Sequence, residues 1–98
     1  MEEALPSGLE STILLLRKAY PDGIPDRDYF AVLALLGPYM SERRLGEAVS
    51  LCSEHDAVVI QNDWAAMAST SPPPHSEVCR VREILNAVGF EEWIREEN

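Results

Sequence analysis

Tyr20-Pro21-Asp22-Gly23-Ile24-Pro25-Asp26-Arg27-Asp28-Tyr29-Phe30-Ala31-Val32-Leu33-Ala34-Leu35-Leu36 is the stretch whose reading decides the fold class. Its first part is turn chemistry. Proline lacks a backbone N–H and pushes the residue before it out of the helical region, while glycine reaches positive φ at little cost. Ile24 is the one apolar residue of the turn and is expected to plug into the core. Pro25 can open a helix, and Asp26 and Asp28 suit the positive end of a helix dipole. The run Tyr29 to Leu36 is then apolar on every face. A β-strand competes for so apolar a run, but the leading aspartates, the interleaved alanines and the closing Gly37-Pro38 select a helix. A helix that is apolar all round is buried, so this second helix is expected to be the centre on which the others pack.

Upstream, Leu9, Ile13, Leu16 and Tyr20 fall three or four residues apart, with Leu14 beside them, and predict a first helix from about Ser7 to Tyr20. Downstream, Ser41 is the expected N-cap of a third helix with Leu45, Ala48, Val49 and Cys52 as its buried stripe. His55 and Asp56 mark its end. A fourth helix over about Ala57 to Ala68 would bury Val58 or Val59, Ile60, Trp64 and Ala68, although three consecutive β-branched residues oppose it. Ser69 to Pro74 reads as a loop with polyproline character, a spacer rather than an SH3-type ligand because no basic residue flanks it. A fifth helix, about His75 to Val88, places Val78, Val81, Leu85 and Val88 on one face with Ile84 alongside. Gly89 then stops it and Phe90 packs back. The expectation is an all-α, compact bundle of about five helices: one domain over 7–90, an acidic N-terminal tail over 1–6, and an acidic tail or short helical turn over 91–98 anchored by Trp93 and Ile94.

The chain has 98 residues and 46% hydrophobic content, enough for one domain with one core and too apolar for disorder. A chain of this length folds to a radius of gyration of about 13 Å. The net charge is −9. Over half of that excess is terminal, carried by Glu2, Glu3, Glu91, Glu92, Glu96 and Glu97. So acidic a chain is a poor match for a nucleic-acid backbone, which needs lysine and arginine to neutralise phosphates. Two cysteines do not make a secreted disulfide framework. The acidic N-terminus is unlike a secretory signal, and no apolar run reaches the length of about 20 residues that spans a bilayer. The cytoplasm is the expected compartment.

The chain's whole stock of cysteine and histidine is Cys52, His55, His75 and Cys79. Cys52 and His55 are spaced i, i+3 and His75 and Cys79 i, i+4, which is a Cys₂His₂ set on paper. Against it, Cys52 lies on the apolar stripe of its helix, whereas Cys79 faces the other way from Val81. No metal and no cofactor is the expectation. No catalytic signature appears either. Asp26 and Asp28 do not share a helical face, His55 and Asp56 diverge, and there is no Gly-x-Ser-x-Gly elbow or phosphate-binding glycine pattern. An enzyme would need a pocket joining Asp28, His55 or Tyr20. The second and third helices, linked by Gly37 to Met40, have the outline of a helix-turn-helix. A face clustering Arg43, Arg44, Arg80 and Arg82 would favour nucleic acid.

The stretch Ala19 to Leu36 resembles a family of small actinobacterial, chiefly mycobacterial, helical proteins grouped as a domain of unknown function. Its Tyr-Pro-x-Gly-Ile/Val-Pro signature, followed by Asp and an apolar Leu-x-Leu-Leu helix, is matched by Tyr20, Pro21, Gly23, Ile24, Pro25, Asp28, Leu33, Leu35 and Leu36. Ser41, Arg80-Val81 and the Gly89-aromatic step also fit, with Phe90 where tryptophan is common. The resemblance covers roughly Leu9 to Phe90. It implies a compact helical bundle and no activity, and the Cys/His quartet is not part of its pattern. The functional expectation is a non-enzymatic helical module that binds another protein, monomeric or a weak homodimer through an exposed Trp64 or Tyr39. The alternative is a helix-turn-helix-like nucleic-acid-binding protein.

Overall fold

The Tyr20–Pro25 turn forms a corner between two helices in the computed structural model, which describes residues 9–70 and 72–97. The elements are α1 (Glu10–Ala19), α2 (Asp26–Leu36), a single 3₁₀ turn (Gly37–Tyr39), α3 (Glu42–Ser50), α4 (Ala57–Thr70), α5 (His75–Asn86) and α6 (Phe90–Glu97). No strand occurs among the described residues. The tail over 1–6 and the Ser7 start of the first helix lie outside them.

The described residues form six α-helices where the sequence implies about five. The sixth follows from one glycine. Gly89 takes φ 104° and breaks the chain direction after α5. Its carbonyl then accepts a hydrogen bond from the Trp93 amide at 3.0 Å, opening a new helix. Phe90 and Trp93, three apart, turn inward and are buried. The short helical turn anchored by Trp93 that the sequence suggests is thus a full helix, with Phe90 and Trp93 as its buried pair.

α2 is the core element. Val32, Leu33 and Leu36 are fully buried in a core shared with Ile13 and Leu16 of α1, Leu45 and Val49 of α3, Ile60 of α4, and Val81 and Leu85 of α5. The radius of gyration is 12.5 Å. α2 is not covered all round, however. Arg27 and Phe30 share one face, and Phe30 is 44% exposed.

Two expected stripes shift. Leu14 is 50% exposed because it lies about 140° around α1 from Leu9; Thr12 and Leu15 are buried instead. On α4, Val58 and Val59 are exposed and so is Ala68, while Ile60 and Met67 are buried. A spacing of seven returns to within about 20° of the starting face, whereas a spacing of eight drifts about 80° away. Ser41 caps α3 as expected, its Oγ accepting from the Arg44 amide at 3.2 Å.

Close approach sets how α3 meets α4. A Cβ on Gly46 would stand 2.8 Å from the Ala57 carbonyl oxygen, so only glycine lets the two backbones come this near. Trp64 and Tyr39, candidates for an exposed patch, are both half-buried. Tyr39 meets Phe90 and Trp93 edge-on at 6.5 and 5.9 Å between ring centroids. No helix among the described residues is long and apolar enough to cross a membrane.

Candidate functional site

The turn residues position the most polar cluster in the interior. Gly23 takes φ 99°, and its amide donates to the Tyr20 carbonyl at 3.0 Å. The Ile24 amide donates to the Cys52 carbonyl at 2.9 Å, which ties the turn to the end of α3. Tyr20 is thereby aimed at the first turn of α2. Its hydroxyl donates to Asp28 Oδ2 at 2.9 Å. From the other side Arg80 Nη2 on α5 donates to Asp28 Oδ1 at 2.6 Å and to Glu77 Oε1 at 2.5 Å. Asp28 is 3% exposed.

Burial alone would raise the Asp28 carboxyl. The hydrogen bonds from Arg80 and Tyr20, with the Arg80 charge, outweigh it and hold the group below its ordinary value. Burial first, then the adjacent Asp28 carboxylate, push the Tyr20 phenol far up. Asp28 is therefore a saturated carboxylate and Tyr20 a neutral donor at neutral pH. This is a clamp joining α1, α2 and α5. Arg80 Nε is buried and finds no acceptor among the described residues.

A second aromatic–carboxylate pair lies nearby. The Tyr29 hydroxyl donates to Asp63 Oδ2 on α4 at 2.8 Å, and its ring stacks on His55 at 4.1 Å. His55 Nε2 is 3.5 Å from Asp26 Oδ1. Of the residues an enzyme would need, Tyr20 and Asp28 meet, but His55 belongs to this separate pair.

Two surface concavities flank the clusters. One, of about 960 Å³, is walled by the turn itself and by Arg17, Leu51, Cys52 and Glu54. Pro21, Gly23, Ile24 and Pro25 line it mainly as turn formers. Burial raises the Cys52 thiol, and Arg17 only partly opposes this. The other, of about 490 Å³, is a groove between α2, α4 and the start of α5. Phe30, Ala31, Ala66 and Met67 give it apolar walls, Pro72 to Pro74 close one side, and Arg27, Asp63 and Glu77 stand at its rim.

The Cys/His quartet is not brought together. Cys52 is buried, His55 is taken up by Tyr29, and His75 and Cys79 sit exposed on α5. No cluster of three or more metal-ligating side chains occurs among the described residues. The arginines expected of a nucleic-acid face do not act as one either, because Arg80 is engaged by Asp28 and Glu77. Arg43, Arg44 and Arg82 remain at the surface of α3 and α5, Arg44 half-buried.

The sequence missed the groove and the clamp partner. Phe30 was hidden inside an apolar run, and nothing local pairs Asp28 with a residue 52 positions away. A signal did exist: Tyr20, Asp28 and Arg80 all fall in stretches carrying the family resemblance.

No curated protein and no solved structure matches the chain. One family model matches residues 7–93, from before α1 to the Trp93 that closes the bundle, and the chain belongs to that family, described as protein of unknown function (DUF3349).

Proposed function

We propose that the chain is a non-enzymatic protein-interaction module of the cytoplasm that takes a short segment of a partner protein into the α2–α4–α5 groove. The actinobacterial source implied by the signature belongs to the same reading. The observation that carries the reading is Phe30: a large aromatic, 44% exposed on the helix that otherwise forms the core, opening onto a groove of about 490 Å³. Apolar surface concentrated in a concavity with a charged rim is the usual form of a peptide site. Asp63 and Glu77 line the groove with Arg27, and although Glu77 pairs with Arg80 and Asp63 accepts from Tyr29, the chain as a whole carries a net charge of −9. The matching segment has an apolar or aromatic anchor beside lysine or arginine. Against chemistry of its own, the Asp28 carboxylate is buried and saturated, so it offers no free base. Against nucleic acid stand the acidic balance and the engagement of Arg80.

Selection from a random peptide library tests this. Enriched peptides carry an apolar anchor with basic neighbours and shift the amide resonances of Phe30, Ala31, Ala66 and Met67. Phe30→Asp, a change at an exposed position, keeps the fold and weakens binding by at least tenfold. The absence of an enriched pattern, or shifts that map elsewhere, overturns the reading.

A further inference from the structure

The groove beside Phe30 has an uneven hydrogen-bonding character. Its Pro72–Pro74 wall carries no backbone N–H, and the Thr70 hydroxyl already donates to the Ala66 carbonyl at 2.7 Å. The amides of Ala66 and Met67 are taken up inside α4. Among the described lining residues Arg27 alone brings charged donors, and its side chain is 72% exposed. Acceptors are in surplus, in the carboxylates of Asp63 and Glu77. A ligand that fills this groove therefore has to bring donors of its own.

The two carboxylates are not equivalent. Glu77 Oε1 faces a full positive charge, Arg80 Nη2, at 2.5 Å, which offsets its own. Asp63 Oδ2 faces a neutral group, the Tyr29 hydroxyl, at 2.8 Å. Burial first, then that carboxylate, push the Tyr29 phenol far up, so it stays a neutral donor. A hydrogen bond from a hydroxyl orients the carboxylate and leaves its charge whole. Asp63 is half-buried, and its Oδ1 finds no partner among the described residues yet is not sealed from solvent. One acceptor of a charged, partly desolvated group is thus left open on a residue that lines the groove.

We propose, resting on the groove's role as a peptide site, that Asp63 selects the occupant: a partner segment with a lysine beside the apolar anchor that meets Phe30. Tyr29 is the positioning residue that fixes Asp63 for this contact. An arginine fork grips a carboxylate through both oxygens, whereas an ammonium is a point donor that needs one. With Oδ2 held by Tyr29, the point donor fits better. Behind it, His55 stacks on the Tyr29 ring at 4.1 Å and steadies the phenol. Phe30, 44% exposed, offers apolar surface to the anchor and to the lysine stem. The net charge of −9 favours the approach of a cationic segment over an anionic one.

The test pans one random peptide library against the full chain and against its Asp63→Asn, Glu77→Gln and Tyr29→Phe variants. Asparagine keeps an oxygen for the Tyr29 hydroxyl and loses only the charge, so its melting curve is expected to stay close to wild type. A lysine next to the anchor is expected to be enriched on wild type and on Glu77→Gln, and to vanish on Asp63→Asn. The most enriched wild-type peptide and a version with arginine for lysine are then titrated by calorimetry. The lysine peptide is expected to bind Asp63→Asn about tenfold more weakly, the worth of one hydrogen bond to a charged group. On Tyr29→Phe, which frees Oδ2, the arginine peptide is expected to gain on the lysine peptide. A general loss of stability would not move that ratio. Groove-binding peptides without lysine, unchanged affinity on Asp63→Asn, or an unchanged ratio on Tyr29→Phe overturns the proposal and leaves the groove as a peptide site. No enriched pattern, or resonance shifts outside the groove, overturns both.

Discussion

Asp28 shows how one buried charge organises a small helical domain. A carboxylate removed from water is costly unless it is paired and hydrogen-bonded, and here Arg80 and Tyr20 supply both, at 2.6 and 2.9 Å. Removing one partner leaves the other stranded. Asp28→Asn is expected to lower stability by about 2–3 kcal/mol at neutral pH, below the cost for a fully buried pair because Arg80 is partly exposed. The sign of the pH dependence follows from the direction of the shift. Asp28 titrates lower folded than unfolded, so its contribution is fully present above about pH 4 and is lost as pH falls through the folded value. Urea unfolding of both proteins from pH 7 to pH 2 checks this: the gap between wild type and Asp28→Asn holds down to about pH 4 and narrows below it.

Between elements, the contact of α3 with α4 depends on the missing side chain of Gly46. A methyl group there would meet the Ala57 carbonyl at 2.8 Å, and a backbone atom cannot swing aside. Helix propensity alone favours alanine over glycine by about 1 kcal/mol. The overlap costs about 1–3 kcal/mol and wins. Gly46→Ala is therefore expected to melt lower than wild type despite its better propensity, which calorimetry measures directly. α4 itself shows why the fourth stripe was misread. Val58 and Val59 look like core residues by type, but they lie on the part of α4 left open to solvent, while Ile60 and Met67 face the core.

At the scale of the whole molecule, α6 closes the bundle. The Trp93 indole Nε1–H donates to Thr12 Oγ1 at 2.9 Å, joining the two ends of the described chain across 81 positions. Thr12 is fully buried and Trp93 is 3% exposed. Trp93→Ala removes a large core ring and leaves the Thr12 hydroxyl unmatched, at an expected cost of about 3–5 kcal/mol. A domain of this size unfolds as one unit. Far-ultraviolet circular dichroism and the fluorescence of the remaining Trp64 should therefore lose structure together at a lower denaturant midpoint. A separate early transition would mean that α6 is an appendage rather than part of the core.

The sequence by itself determined the helical class, the Tyr20–Pro25 corner, the α3 cap at Ser41 and the central place of α2. Each rests on local physics: proline and glycine backbone limits, a hydroxyl beside free amides, and an apolar run that only burial can satisfy. Tertiary structure alone decided which residues became special. It paired Asp28 with Arg80, left Phe30 open at a groove and drew Trp93 onto Thr12. Those outcomes depend on helix-to-helix register over tens of residues, and residue type and spacing carry no record of it. A periodic pattern states that a side chain turns inward, whereas only the assembled bundle states what it meets there.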